Sequence, residues 1–148
     1  MYRILMVCHG NICRSPMAEF VLRDMVAKQG RSDEFFIRSC ATSTEEIGNP
    51  VHYGTRRKLL QVGISCEGKT AVQMTKADYD KYDYIVAMDE NNIRNILRII
   101  KSDPQNKVSL LLDFAGEHRS IADPWYTGDF DTTYIDVVKG CTALLEKL

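Results

Sequence analysis

Apolar residues fall along this chain in short blocks, separated by longer stretches that repeat with a helical period. The first block, Ile4-Leu5-Met6-Val7, is continuous, as expected of a strand buried on both faces. From Ser15 the pattern changes, with Ala18, Val21, Leu22 and Met25 at i, i+3, i+4 and i+7. This spacing predicts a helix that leaves Glu19, Arg23, Asp24 and Lys28 in solvent. Ser15 suits its N-cap and Pro16 its first helical position. A second strand is predicted over residues 34–40, then a helix over residues 52–62 that Gly63 ends. A short helix at 77–81 precedes a third strand at 84–88 and a helix at 91–101, which Ser102-Asp103-Pro104 stops. A fourth strand follows at 108–112. A last helix at 132–147 is expected to turn Ile135, Val138, Cys141, Thr142 and Leu145 to one side. Strands alternating with helices predict an α/β fold with a parallel sheet. With the first strand central among four, its carboxyl end lies at a switch point, where such sheets bind ligands.

Composition narrows the function classes. The 148 residues suit one domain over positions 1–148. Nineteen basic against 20 acidic residues give a net charge of −1, and without a basic run a nucleic-acid partner has no electrostatic support. No apolar stretch approaches the ~18–20 residues needed to span a bilayer, and the N-terminus lacks a secretion-signal pattern. Five cysteines without a C-x-x-C pair argue against a disulfide scaffold and a structural zinc site. The expectation is a cytoplasmic monomer without membrane contact, cofactor or metal. His9 is read as a loop residue with its ring toward solvent, and His52 and His118 as surface or loop residues, since no His/Asp cluster has ligand spacing.

The chemistry is concentrated at Cys8-His9-Gly10-Asn11-Ile12-Cys13-Arg14, followed at once by Ser15-Pro16. A thiol ends a buried strand, and a helix begins seven residues later. Between them, free backbone N–H groups of residues 9–15 and the helix dipole favour an anion. The same field favours a thiolate at Cys8. Arg14 supplies a planar fork that can hold two phosphate oxygens at once, which a lysine cannot reproduce. Gly10 is expected to allow close approach and unusual dihedrals, and Asn11 is the non-glycine type most tolerant of a left-handed backbone. The Ser15 hydroxyl can donate to the sulfur. A lone buried cysteine is usually a core residue. With these neighbours at this spacing, nucleophilic attack on a phosphoryl group is the better reading.

The loop VCHGNICRSP resembles that of the low-molecular-weight protein tyrosine phosphatases, V-C-x-G-N-x-C-R-S-P. The resemblance continues through Met88-Asp89-Glu90-Asn91-Asn92 to Asp123-Pro124-Trp125-Tyr126. It implies a flavodoxin-like three-layer sandwich around a four-stranded parallel sheet in the order 2-1-3-4. It also implies Cys8 as nucleophile, Arg14 as phosphate clamp and Asp123 as general acid, with phosphotyrosine proteins as substrates and phosphate or other oxyanions as inhibitors. Chemistry asks for such an acid: a tyrosyl leaving group has a pKa near ~10, and a positioned acid contributes ~10²–10⁴-fold. Asp-Pro is also a common turn dipeptide, so the resemblance rather than the composition assigns the role. Asp129 and Asp131 are the nearest rivals, but Gly128-Asp129 reads as a turn and Asp131 as the cap of the last helix.

Family members usually carry two tyrosines where this chain has Trp125 and Tyr126, which implies an aromatic wall of changed shape. Trp125 reads equally well as core. Many relatives place an aromatic residue after the second strand. Residues 42–50 contain none, and Tyr53 is the nearest candidate for the opposite wall. Glu45 and Glu46 in that segment suggest an altered substrate preference at the rim, with solvated loop charges the more ordinary reading. Asp89 is expected to cap the following helix, the alternative being support of the Cys8 loop through Asn11. Cys13 is near enough in sequence to trap a sulfenic acid at Cys8, a protective use implied by the family, whereas Cys40, Cys66 and Cys141 read as core residues. Four alternatives share part of the constellation. Arsenate reduction in relatives uses two extra cysteines after the third strand, and residues 88–100 have none. Phosphoarginine hydrolysis is associated with Thr where Ile12 stands. A phosphate-binding module needs neither thiolate nor acid, and a thiol redox sensor needs neither Asp123 nor an aromatic slot.

Overall fold

The computed structural model describes residues 1–148. Strand β1 (Tyr2–Cys8) leads through the Cys8 loop into helix α1 (Arg14–Lys28), followed by β2 (Phe35–Ala41) and α2 (Tyr53–Gln61). Then come α3 (Asp78–Lys81), β3 (Tyr84–Ala87), α4 (Glu90–Ile100) and β4 (Val108–Leu110), and finally α5 (Pro124–Thr127) and α6 (Phe130–Glu146). All strand pairs are parallel and the order is β2-β1-β3-β4, as the family resemblance implied. Alternation along β1 builds two layers. Ile4, Met6 and Cys8 face Met17 and Leu22 of α1 and Val137 and Leu144 of α6, whereas Leu5 and Val7 face Ile96 and Ile100 of α4. Each face of the sheet is thus covered, which is why the strands read as unbroken apolar runs. No helix is long and apolar enough to cross a membrane.

Several expected boundaries change for identifiable reasons. Ser15 does not cap α1; the cap position is Cys13, without a side-chain hydrogen bond, and the Ser15 hydroxyl is committed to the Cys8 sulfur. Glu19 is not in solvent but 1% exposed, because Ser39, Arg23 and Lys69 close over its carboxylate. The fourth strand stops at Leu110 and tightens into a 3-10 turn over Leu111–Ala115. Helix α6 starts at Phe130 and is capped by Asp129, whose side chain accepts from the Thr132 amide at 3.0 Å, rather than by Asp131. Its buried face is Thr133, Val137, Gly140, Cys141 and Leu144, and Ile135 is exposed. Gly140 permits this rotation: a Cβ there would lie 2.4 Å from Leu111 Cγ, so only glycine lets the helix approach the 3-10 turn so closely.

Candidate active site

At the carboxyl edge of the sheet, the Cys8 loop is closed into a cradle by partners outside it. Its carbonyls are drawn outward: Thr42 N–H donates to Cys8 O at 3.0 Å, Ser43 N–H to His9 O at 3.1 Å and His52 N–H to Ile12 O at 2.8 Å. The Thr55 hydroxyl donates to Cys13 O at 3.2 Å. With the carbonyls facing away, the positive ends of the peptide groups are left for the cleft. Two amides reach the sulfur itself, Asn11 N–H at 3.3 Å and Ser15 N–H at 3.4 Å, and the Ser15 hydroxyl lies 3.0 Å from it.

Asn11 takes the left-handed backbone, with φ of 59°, while Gly10 is not at positive φ. The expectation of an unusual dihedral at Gly10 is therefore corrected, and a Cβ there would sit 3.4 Å from Glu46 Cγ, in ordinary contact with a flexible side chain. The Asn11 amide spans the loop, donating to Ser15 Oγ at 2.8 Å and Ser39 Oγ at 3.0 Å and accepting from Val72 N–H at 3.1 Å. Ser39 donates onward to the buried Glu19 carboxylate, which pairs with Arg23 at 2.5 Å and lies 3.9 Å from Lys69. A continuous polar chain thus links the thiol to two cations, Arg23 and Lys69. The charge on Glu19 is tolerable there because it is paired and hydrogen-bonded.

Arg14 is 3% exposed and fixed by three partners. One nitrogen donates to Asp89 at 2.7 Å and to Ile121 O at 2.9 Å, and the other lies 3.4 Å from Asp123. Asp89 also caps α4 as expected, accepting from Asn92 N–H at 2.7 Å, and its contact with Arg14 had no signal in the sequence. Burial opposes the charge on Arg14, but Cys8, Asp123 and Asp89 outweigh it and hold its pKa above the ordinary guanidinium value. The Cys13 thiol is pushed up to about 12, chiefly by burial, then by the Cys8 and Asp123 charges. Cys40, Cys66 and Cys141 are buried, as read from the sequence, and burial raises each of their pKa values.

Asp123 stands across the cleft as the N-cap of α5, accepting from Trp125 N–H at 3.1 Å. Its segment is moored by Ile121 N–H to Met88 O at 2.8 Å and by the Thr133 hydroxyl to Ala122 O at 3.1 Å. The cleft encloses about 120 Å³ and is lined by Cys8, Arg14 and Asp123 at depth and by Trp125 and Tyr126 at the mouth. Trp125 is 56% exposed, so it is wall rather than core. Tyr53 does not line this cleft; as the first residue of α2 it faces a neighbouring one, stacked on His52 at 5.0 Å. The opposite wall is instead Glu45 and Glu46, which are not merely solvated loop charges, and the half-exposed His9 ring is 2.9 Å from Glu45. His52 is no ordinary surface residue either. Its Nδ1 accepts from Gly54 N–H at 3.0 Å to cap α2, and its ring stacks on Phe130 at 5.4 Å and meets Trp125 edge-on at 5.5 Å. His118 is exposed and sits 2.7 Å from Asp113, an acid that with Glu90 raises its pKa.

Comparison with known proteins agrees with this geometry. The family model described as low molecular weight phosphotyrosine protein phosphatase matches residues 3–148. The low molecular weight protein-tyrosine-phosphatase YfkJ of Bacillus subtilis is 38% identical over 150 residues, covering 100% of this chain and 96% of that protein. The human low molecular weight phosphotyrosine protein phosphatase is 40% identical over 97% of this chain and 94% of its own length. The crystal structure of YfkJ superposes with a TM-score of 0.96 over 99% of this chain and 94% of its own. That of SP-PTP from Streptococcus pyogenes, 41% identical, covers 100% of this chain and 93% of its own with a TM-score of 0.90. With matching sequence, length and fold, the chain belongs to the low molecular weight phosphotyrosine protein phosphatase family.

Proposed function

We propose that this chain hydrolyses phosphotyrosine in proteins, and small aryl phosphates, through a cysteinyl-phosphate formed at Cys8. The observation that carries this reading is the meeting of three groups at one small cleft: a thiol with three donors aimed at it, a guanidinium fixed by two carboxylates, and the Asp123 carboxyl beside an aromatic wall. The phosphoryl group sits on the loop, its equatorial oxygens held by backbone N–H groups of residues 9–15 and by Arg14. The Cys8 thiolate attacks phosphorus in line with the bond to the tyrosyl oxygen. The S–P bond forms, the P–O bond breaks and the leaving oxygen takes the Asp123 proton. Water then attacks the cysteinyl-phosphate, Asp123 takes its proton, the S–P bond breaks and phosphate departs. Asp89 and Ile121 O act before any of this, orienting the Arg14 fork toward the loop. The reading includes a single domain acting as a monomer in the cytoplasm, where the five thiols stay reduced.

Hydrolysis of phenyl phosphate and p-nitrophenyl phosphate tests the assignment. Cys8→Ser should abolish turnover of both. Asp123→Asn should cost ~10²–10⁴-fold on the phenyl ester and far less on the nitrophenyl ester, whose leaving group needs no proton. Equal losses on both esters would remove Asp123 from the acid role. Cys13 is assigned to protection: peroxide oxidises the Cys8 thiolate to a sulfenic acid, the Cys13 thiol attacks that sulfur, and water leaves as the disulfide forms. Mass spectrometry after mild peroxide should find the Cys8–Cys13 disulfide. Sulfinic acid at Cys8 with a free Cys13 would sink the idea.

A further inference from the structure

A second, wider cleft of about 540 Å³ opens on the other side of Trp125, between α2 and the start of α6. It shares the Trp125 ring with the catalytic cleft, so a chain whose phosphotyrosine enters one passes over the other. Its floor is aromatic, with Tyr53 66% exposed and Phe130 packed under Gly54, where a Cβ would meet the Phe130 ring at 2.3 Å. Lys58 pairs with Asp131 at 2.9 Å, and both Asp129 oxygens take bonds from Thr132, at 3.0 and 2.6 Å, which orient that carboxylate without cancelling its charge. Arg57 remains: it is exposed, lines the cleft and has no ion pair, and the equally unpaired Arg56 lies beside it in the adjoining hollow. The opposite side of the catalytic mouth has the reverse sign, since Glu45 and Glu46 stand there. The two rims are therefore polarised across the phosphotyrosine.

We infer that this second cleft is a docking groove for the substrate chain, and that it selects phosphoproteins with a Glu or Asp close to the phosphotyrosine on the α2 side. The inference rests on the phosphatase reading and names the substrate class for that site. A carboxylate laid against Arg57 forms a charge-assisted pair beside exposed Tyr53 and Trp125, the residue types that anchor interfaces most strongly. A basic side chain in the same place meets Arg57 and Arg56. Screening within ~8 Å confines the effect to a few residues on either side of the phosphotyrosine.

The test is a set of phosphotyrosine peptides with neutral flanks, scanned with a single Glu or a single Lys over the three positions on each side, with p-nitrophenyl phosphate as reference. At the positions that reach α2, Glu should lower KM by about 2–5-fold relative to Lys, with kcat unchanged and the preference shrinking as salt rises. Arg57→Glu should invert the preference and Arg56→Glu weaken it, both leaving p-nitrophenyl phosphate kinetics unaltered. If Glu and Lys peptides share one KM at all six positions, or if the preference survives Arg57→Glu, the groove is overturned while the phosphatase reading stands. Absence of p-nitrophenyl phosphate turnover by the wild-type chain would instead overturn the phosphatase reading, and the groove with it.

Discussion

The Cys8 loop and the Asp123 segment face each other over one cleft, yet they are built in opposite ways. The loop is enclosed: Cys8, Asn11, Cys13, Arg14 and Ser15 are all buried, and its bonds run to Ser39 of β2, to Thr55 of α2 and to the segments at Thr42, His52 and Val72. The Asp123 segment is moored at Ile121, Ala122 and Arg14, and beyond those points it presents Trp125 and Tyr126 to solvent, Tyr126 at 84% exposure. A phosphoryl group has one shape, so its seat can be rigid; the chain that carries it varies, so its wall is left open. Preorganisation is concentrated where charge develops in the transition state, and exposed surface is kept for recognition.

The sharpest way to break this contrast is at its one bridging residue. Arg14→Lys keeps a positive charge but loses the fork that reaches Asp89, Ile121 O and Asp123. It should cost about 10²–10³-fold in kcat/KM, measured with p-nitrophenyl phosphate; a loss under tenfold would show that the seat needs charge without geometry. A smaller effect is expected on the open wall. Trp125→Ala should raise KM for aryl phosphates about 3–10-fold with little change in kcat, and a large fall in kcat would mean the wall also orients Asp123. The smallest effect concerns the buried side. The Cys13 thiol, pushed up to about 12 from 9.0, stays protonated in the folded chain while its unfolded counterpart ionises. Stability from this group is therefore full below pH 9.0 and is lost as pH rises toward about 12, at about 1.4 kcal/mol per pH unit. Denaturant melts across that range should flatten in Cys13→Ser, and an unchanged slope would mean that Cys13 is more hydrated than its burial implies.

Much of the loop was legible because it is local. Residues 8–15 carry their own strand end, anion seat and helix start, and Asn11 takes the left-handed backbone its residue type suggested. What the sequence hid is contact at a distance. Asp89 could be read as a cap but not as the partner of Arg14, 75 residues away. Glu19 falls off the apolar stripe of α1, so helical spacing puts it in solvent, whereas Ser39 and Lys69 from other elements, with Arg23 one turn along α1, close over it. Tyr53 is the nearest aromatic residue in sequence, but nearness along the chain does not fix which way a helix turns its first residue. Helix α2 turns it away from the phosphate cleft, and the wall across from Trp125 is acidic rather than aromatic.

The edge contact between His52 and Trp125 gives the molecule an optical probe of its own. Trp125 is the only tryptophan, and its ring lies 5.5 Å from an imidazole whose Nδ1 is occupied in accepting the Gly54 amide. That ring covers one edge of an indole otherwise open to water, so the colour of Trp125 emission reports, without substrate or label, whether the first turn of α2 is seated. In His52→Asn, which keeps an acceptor for the Gly54 amide but not the imidazole, the emission of the folded chain should move to longer wavelength as water reaches that edge.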